Sequence, residues 1–370
     1  MLNGEKLTLG IESTCDETGA ALVAGKTRLI ANVVATSMDE YARYGGIIPE
    51  IASRAHLESF LPVVTSALDQ AGAKLEDVDQ IGVAAGPGLI GSLAVGIAGA
   101  KALATATGKP LYGVNHVIGH LAVDQLVNGT IELPAVGLVV SGGHTNLLLI
   151  TDFGAPGGIR ELGGTLDDAS GEAFDKVGRV LGLPYPGGPH VDRLSREGTL
   201  HAIDFPRGLA GAKYAKTHPY DFSFSGLKTA VARWVDGLER TPEVRNRPDF
   251  TKDFSATKEG KPWLPVAEIC KGFSESVNDS LVTKTMQALA DTGAKTLVVG
   301  GGYSANSRLR EWLGKECEAN GVTLRIPPLK FCTDNGAQIA AITAAVAEAR
   351  EPSAPDFSPV SALDLMTVTV

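Results

Sequence analysis

Apolar runs of strand length, each closed by a polar or glycine-rich turn, recur twice in one order along the chain. Lys6 to Ala24 reads as strand, turn, strand: T-L-G-I-E, then S-T-C-D-E-T, then G-A-A-L-V-A. Ala135 to Thr151 repeats the plan, with A-V-G-L-V-V, the turn S-G-G-H-T and N-L-L-L-I-T. A second unit, strand then Gly-rich turn then helix, also occurs twice, as I-G-V-A-A-G-P-G before Leu89 and T-L-V-V-G-G-G-Y before Ser304. The pattern predicts a duplicated α/β chain with one lobe over residues 1–130 and a second over 131–350. Glu239 to Pro265 has little periodicity and reads as a surface insertion in the second lobe. The last strong helix is expected over Asn335 to Arg350, capped by T-D and stopped by E-P-S-A-P, with residues 351–370 a loose tail.

Composition agrees with two lobes. At 370 residues the chain exceeds what one core usually serves, and 44% hydrophobic residues with 44 glycines suit an α/β protein with many tight turns. The start, M-L-N-G-E-K, lacks a basic region followed by an apolar stretch, and the nearly apolar run Gly88 to Ala100 is short for a bilayer. These features predict a cytoplasmic protein with no membrane association. Cys15, Cys270, Cys317 and Cys332 lie far apart, so they read as reduced thiols. A net charge of −9 argues against broad nucleic-acid binding, so any RNA contact must be local. Two similar lobes facing each other make the actin-like fold of sugar kinases and Hsp70 (the ASKHA group). There turns from both lobes close on nucleotide phosphates, though fold alone specifies no activity.

The sharpest chemical feature is N-H-V-I-G-H, Asn115 to His120. His116 and His120 are four apart, share one helical face and suit a single metal ion; the alternative is a pair of partly buried helix histidines. The peptidase signature H-E-x-x-H needs a glutamate after the first histidine, and Val117 stands there. Two imidazoles leave a metal short of ligands, and Asp334 in F-C-T-D-N-G is the candidate third, with N-capping as its competing explanation.

The turns S-G-G-H-T and A-G-P-G are candidate phosphate loops, since glycine lets amides approach an anion and hydroxyls add donors; either could equally serve chain geometry. Glu12, Asp16 and Glu17 in E-S-T-C-D-E must be solvated, metal-linked or hydrogen-bonded, with an exposed acidic hairpin as the plain alternative. From Arg207 to Arg247 eight basic residues face four acidic ones, against the overall charge. Lys213, Lys216 and Lys228 there, interleaved with Tyr214, Tyr220, Phe222, Phe224 and Trp234, offer phosphate contacts and stacking, unless the segment is a solvated face whose aromatics are core.

In order from about Thr8 to Ala345, G-I-E-S-T-C-D-E-T, Y-G-G-I-I-P-E-I-A-S-R-A-H, A-G-P-G-L, N-H-V-I-G-H, V-S-G-G-H-T, D-D-A-S-G-E-A-F-D-K, Y-P-G-G-P, F-S-F-S-G-L-K-T and F-C-T-D-N-G-A resemble the TsaD (Gcp, YgjD) family. The resemblance implies a metal, iron or zinc, held by His116, His120 and Asp334. It implies that Val139, Val140, Ser141, Gly142 and Gly143, with Asp175, Gly188, Asp192 and Asn306, line a pocket for adenine nucleotides and threonylcarbamoyl-AMP. The implied activity is transfer of threonylcarbamoyl to the N6 amine of the tRNA adenosine beside the anticodon. A TsaC-type synthase would supply the acyl-adenylate, and TsaB-like and TsaE-like proteins would help. No general base stands out; Asp16 and Glu17 are the candidates. Two other classes stay open, a metallopeptidase and an Hsp70-like nucleotide-binding regulator. Tyr303 departs from the family pattern, which is commonly small or aliphatic there.

Overall fold

A computed structural model of the chain describes residues 4–37, 46–200 and 203–370. Tyr44 and Gly45 of the Y-G-G-I-I motif lie outside them.

The strands form two five-stranded sheets of one topology. The first holds β1 (Leu7–Glu12), β2 (Glu17–Ala24), β3 (Arg28–Thr36), β4 (Gln80–Gly86) and β5 (Leu111–Asn115) in the order β3-β2-β1-β4-β5. The second holds β6 (Ala135–Val140), β7 (Thr145–Ile150), β8 (Ile159–Gly164), β9 (Thr296–Gly300) and β10 (Thr323–Arg325) in the order β10-β9-β6-β7-β8. In each, three antiparallel strands are extended by two parallel ones. The duplication expected from the repeated motifs is therefore present strand for strand. Every residue of β1, β2, β4, β5, β6 and β9 is buried, as near-continuous apolar runs require of strands covered on both faces.

The principal helices are α1 (Pro49–Ala71), α2 (Ile90–Thr107), α3 (His116–Ala122), α4 (Ser170–Leu181), α5 (Gly187–Ser195), α6 (Ser225–Glu239), α7 (Val266–Thr292), α8 (Ser307–Ala319) and α9 (Gly336–Ala349). Helix α2 carries the Gly88 to Ala100 run on to Thr107, and its 18 residues are, by length and composition, apolar enough to cross a membrane. It lies across β4 and α1, with Leu93, Ile97, Ala100 and Ala104 buried and Lys101 donating to the Phe357 carbonyl at 2.6 Å.

Three features depart from the sequence expectation. Helix α9, placed by its number in the second lobe, packs on β1 and β2 of the first sheet, with Ile339, Ile342 and Val346 in that core. Glycine makes this approach feasible, because a Cβ at Gly10 would enter the backbone of Ala340 and one at Gly19 that of Gly336. Residues 351–370 are docked and not loose: Asn115 N donates to the Val368 carbonyl at 2.9 Å, Thr369 bridges Val114, and Val368 is buried. Its apolar residues follow no regular period, so periodicity could not reveal the docking. The Glu239 to Pro265 segment is largely exposed but anchored, with buried Trp263 flanked by Phe250 and Phe254 and with Lys261 N donating to the Leu181 carbonyl at 2.9 Å.

Candidate metal and nucleotide site

A cavity of about 1330 Å³ opens between the lobes. The first lobe contributes the Thr14–Glu17 turn, Pro87–Leu89 and the histidines of α3. The second contributes the Ser141–His144 turn, α4 and α5, and Gly302–Ser307.

Helix α3 is started by Asn115, whose Oδ1 accepts from Val117 N at 3.0 Å and Ile118 N at 3.3 Å while its Nδ2 holds the C-terminal segment through the carbonyls of Asp364 and Thr367. The i, i+4 spacing brings the two imidazoles together, ring centroids 4.7 Å apart. Asp334 Oδ1 lies 3.5 Å from His116 Nε2 and 3.2 Å from His120 Nε2. Asp334 does not cap the following helix. Asn335 does, its Oδ1 accepting from Gln338 N at 3.1 Å, and the carboxylate one residue earlier is left to face the histidines.

Glu12 is fully buried, and its Oε2 meets His116 Nδ1 at 2.7 Å, while Thr14 N and Gln338 Nε2 complete the carboxylate. This partner fixes the His116 tautomer that leaves Nε2 facing Asp334, the arrangement a carboxylate gives to a metal-bound histidine. His120 Nδ1 is buried with no hydrogen-bond partner among the described residues, so His120 is oriented by packing and by its Nε2 contact with Asp334. Asp16 and Glu17 are buried too, and one oxygen of each lies within 4.8 Å of Asp334. The acidic turn is therefore an interior cluster and no exposed hairpin.

Charge in this cluster is poorly balanced by the chain itself. Burial and then Asp334 push the Glu17 carboxyl up to about 10, and burial raises Asp16 as well. Burial opposes ionisation at Asp334, but His116 and His120 outweigh it and hold that carboxyl well below the usual range. For His116 burial is likewise outweighed, by Glu12 and Asp334, and the imidazole is raised to about 9. Burial and the two neighbouring histidines lower His144 to about 4. Two imidazole nitrogens and a carboxylate oxygen within 4.8 Å of one another, backed by three further buried carboxyls, are a donor set and a charge environment that fit a bound cation.

Across the cavity, Ser141 Oγ accepts from Gly143 N at 3.3 Å and His144 N at 3.0 Å. Those amides are committed within the turn, which leaves the Gly142 amide and the Ser141 hydroxyl hydrogen as its donors toward a ligand. Asp175 Oδ1 accepts from Gly187 N and Gly188 N at 2.8 and 3.2 Å, so it ties α4 to the start of α5. Asp192 Oδ1 accepts from Ser307 N and Oγ, and Asn306 caps α8. These residues line the cavity and serve helix ends together.

Two groups of sequence candidates lie elsewhere. Val139 and Val140 are buried in β6 and only carry the turn. Lys213 and Lys216 are exposed on the short helix Ala212–Thr217, and Lys228 stands 3.7 Å from Asp168. Phe222 and Phe224 are core residues, which removes them as stacking surfaces, while Tyr214 stays partly exposed. Sequence reasoning did not single out Gln338, Asn278 or the pocket role of Tyr303; their partners are distant in the chain.

Two sheets of one topology closing on a shared cleft define an actin-like two-lobed protein. HypF from T. kodakarensis has this fold, with a TM-score of 0.59 at 12% identity over 93% of this chain and 48% of HypF. Residues 28–341 match the family described as TsaD, tRNA N6-adenosine threonylcarbamoyltransferase. Proteins of that name from Bifidobacterium adolescentis and Corynebacterium diphtheriae are 52% and 48% identical, over 99% and 94% of both chains. The chain belongs to the TsaD family.

Proposed function

We propose that this chain transfers the threonylcarbamoyl group from threonylcarbamoyl-AMP to the N6 amine of the adenosine 3′ of the anticodon, in tRNAs reading ANN codons, with release of AMP. The observation that carries this reading is the His116, His120 and Asp334 group opening on the same cavity as the Ser141–Gly143 turn. The amine nitrogen attacks the carbamoyl carbon, the bond to the phosphate oxygen breaks, and the amine gives up a proton. An aryl amine is a weak nucleophile, so orientation and charge stabilisation dominate the catalysis. We assign the phosphate to the Gly142 amide and Ser141 hydroxyl, and the proton to Asp16 or Glu17, whose raised carboxyls would be returned to the ionised, proton-accepting form by a cation beside Asp334. A metal on His116, His120 and Asp334, iron by the family resemblance and zinc by the same donor set, would supply Lewis-acid stabilisation.

A peptidase is disfavoured because Val117, at the general-base position of H-E-x-x-H, is buried in the apolar core. A purely regulatory nucleotide-binding protein has no use for the paired imidazoles. The proposal places the chain in the cytoplasm with a TsaC-type synthase, TsaB-like and TsaE-like helpers, and tRNA. Reconstitution with these proteins, unmodified tRNA, threonine, bicarbonate and ATP should yield threonylcarbamoyladenosine on nucleoside analysis. A complete mixture that modifies no more tRNA than one lacking this chain refutes the assignment.

For tRNA itself we propose Lys213, Lys216 and Lys228 as phosphate contacts. Lys213 and Lys216 have no acidic partner among the described residues, whereas Lys228 shares Asp168 with Lys176. Neutralising all three should leave stability nearly unchanged and flatten the salt dependence of tRNA affinity by about one power of salt concentration for each lysine that meets a phosphate. An unaltered slope places the RNA site elsewhere.

A further inference from the structure

Asn306 is not free to turn its amide. Its Oδ1 accepts the backbone N–H of Leu309 at 2.9 Å, and a backbone nitrogen can only donate, so the Asn306 oxygen is fixed toward α8. Behind it lies Asn278 of α7, fully buried, with Nδ2 at 3.3 Å from that same oxygen and 3.2 Å from Ser274 Oγ. Facing an acceptor, Asn278 must present its NH2 group there. That turns its own Oδ1 to Tyr303, whose phenolic oxygen is 3.1 Å away and must donate. The Tyr303 ring is set against Phe174 with centroids 4.8 Å apart, and Phe174 in turn against Phe273. One backbone N–H thus fixes the polarity of three side chains. Asn306 Nδ2 makes no hydrogen bond among the described residues, and Asn306 lines the cavity, so a donor is what it shows there.

We propose that Tyr303 and Asn278 are positioning residues that lock Asn306 as a hydrogen-bond donor to an acceptor atom of the bound nucleotide. The proposal rests on the nucleotide reading of the cleft. In Tyr303→Phe the ring still packs on Phe174, but the buried Asn278 oxygen loses its donor, and only the contacts of its Nδ2 with Ser274 Oγ and Asn306 Oδ1 are left to hold that amide in the orientation Asn306 needs.

AMP binding by calorimetry to the full chain tests this with Tyr303→Phe, Asn306→Ser and the double variant; serine still caps α8 but lacks the amide donor. Each single change should weaken AMP about tenfold, the scale of one hydrogen bond with its partner left unsatisfied. Because Tyr303 acts through Asn306, the double variant should bind no more weakly than Asn306→Ser alone. The isosteric Asn278→Asp, which sets a carboxylate oxygen against the Asn306 oxygen, should lose at least as much as Tyr303→Phe. Losses that add in the double variant overturn the relay, as does wild-type AMP affinity in Tyr303→Phe with only a lower melting temperature. Wild-type affinity in Asn306→Ser removes Asn306 as a nucleotide contact and the relay with it, while a wild-type chain that binds no AMP refutes the reading of the cleft itself.

Discussion

Replacing His116 and His120 together with alanine is expected to take bound metal from about one ion per chain to none, read by elemental analysis of the purified protein. The expectation follows from the donor set. Two imidazole nitrogens and one carboxylate oxygen converge within 4.8 Å, and the double change leaves only the carboxylates of Asp334, Asp16 and Glu17, hard oxygen donors that hold a transition metal far less tightly than imidazoles do. Glu12→Gln should give a graded result, because the amide can still meet His116 Nδ1 but no longer raises its basicity, and metal affinity should fall by roughly 10–100-fold. The double alanine variant also leaves the buried Glu12 without its histidine, so some loss of stability is expected, and circular dichroism must show it folded before its metal content is interpreted. Unchanged stoichiometry in the folded double variant would sink the assignment.

Much of this site was legible because it is local. The i, i+4 histidines need only a helix, and the hairpins β1-β2 and β6-β7 are written as apolar runs around a polar turn. The sequence T-D-N offers two capping side chains in a row, and their roles separate only once Asn335 is seen bonded to Gln338 and Asp334 turned to α3. That outcome depends on α9 crossing to the first sheet, which the glycines at 10 and 19 permit but no period announces. Phe222 and Phe224 show the opposite limit, since aromatics between cations suit an RNA surface and a core equally, and only burial decides. The Tyr303, Asn278 and Asn306 chain joins residues brought together by α7 and the turn before α8, so nothing in local spacing predicts it.

Gly142→Val is expected to leave the fold intact while nucleotide affinity falls by about 100-fold or more, because the added side chain lies where the ligand must approach the turn. A Cβ at Gly142 meets no atom within 4 Å, so the protein itself accommodates it. The space it enters is the cavity, beside the amide and hydroxyl assigned to the phosphate. Gly171 supplies the contrast, since its Cβ would come within 2.7 Å of the Ser141 carbonyl oxygen and push the turn from behind. Gly171→Ala should therefore lower the melting temperature together with affinity, whereas Gly142→Val should change the unfolding free energy by no more than the roughly 0.5 kcal/mol typical of an unobstructed surface change and leave the melting temperature nearly where it was. Calorimetry with AMP and a thermal melt on both variants separates the cases, and AMP binding by Gly142→Val at wild-type strength would mean that the nucleotide does not approach Ser141 to Gly143.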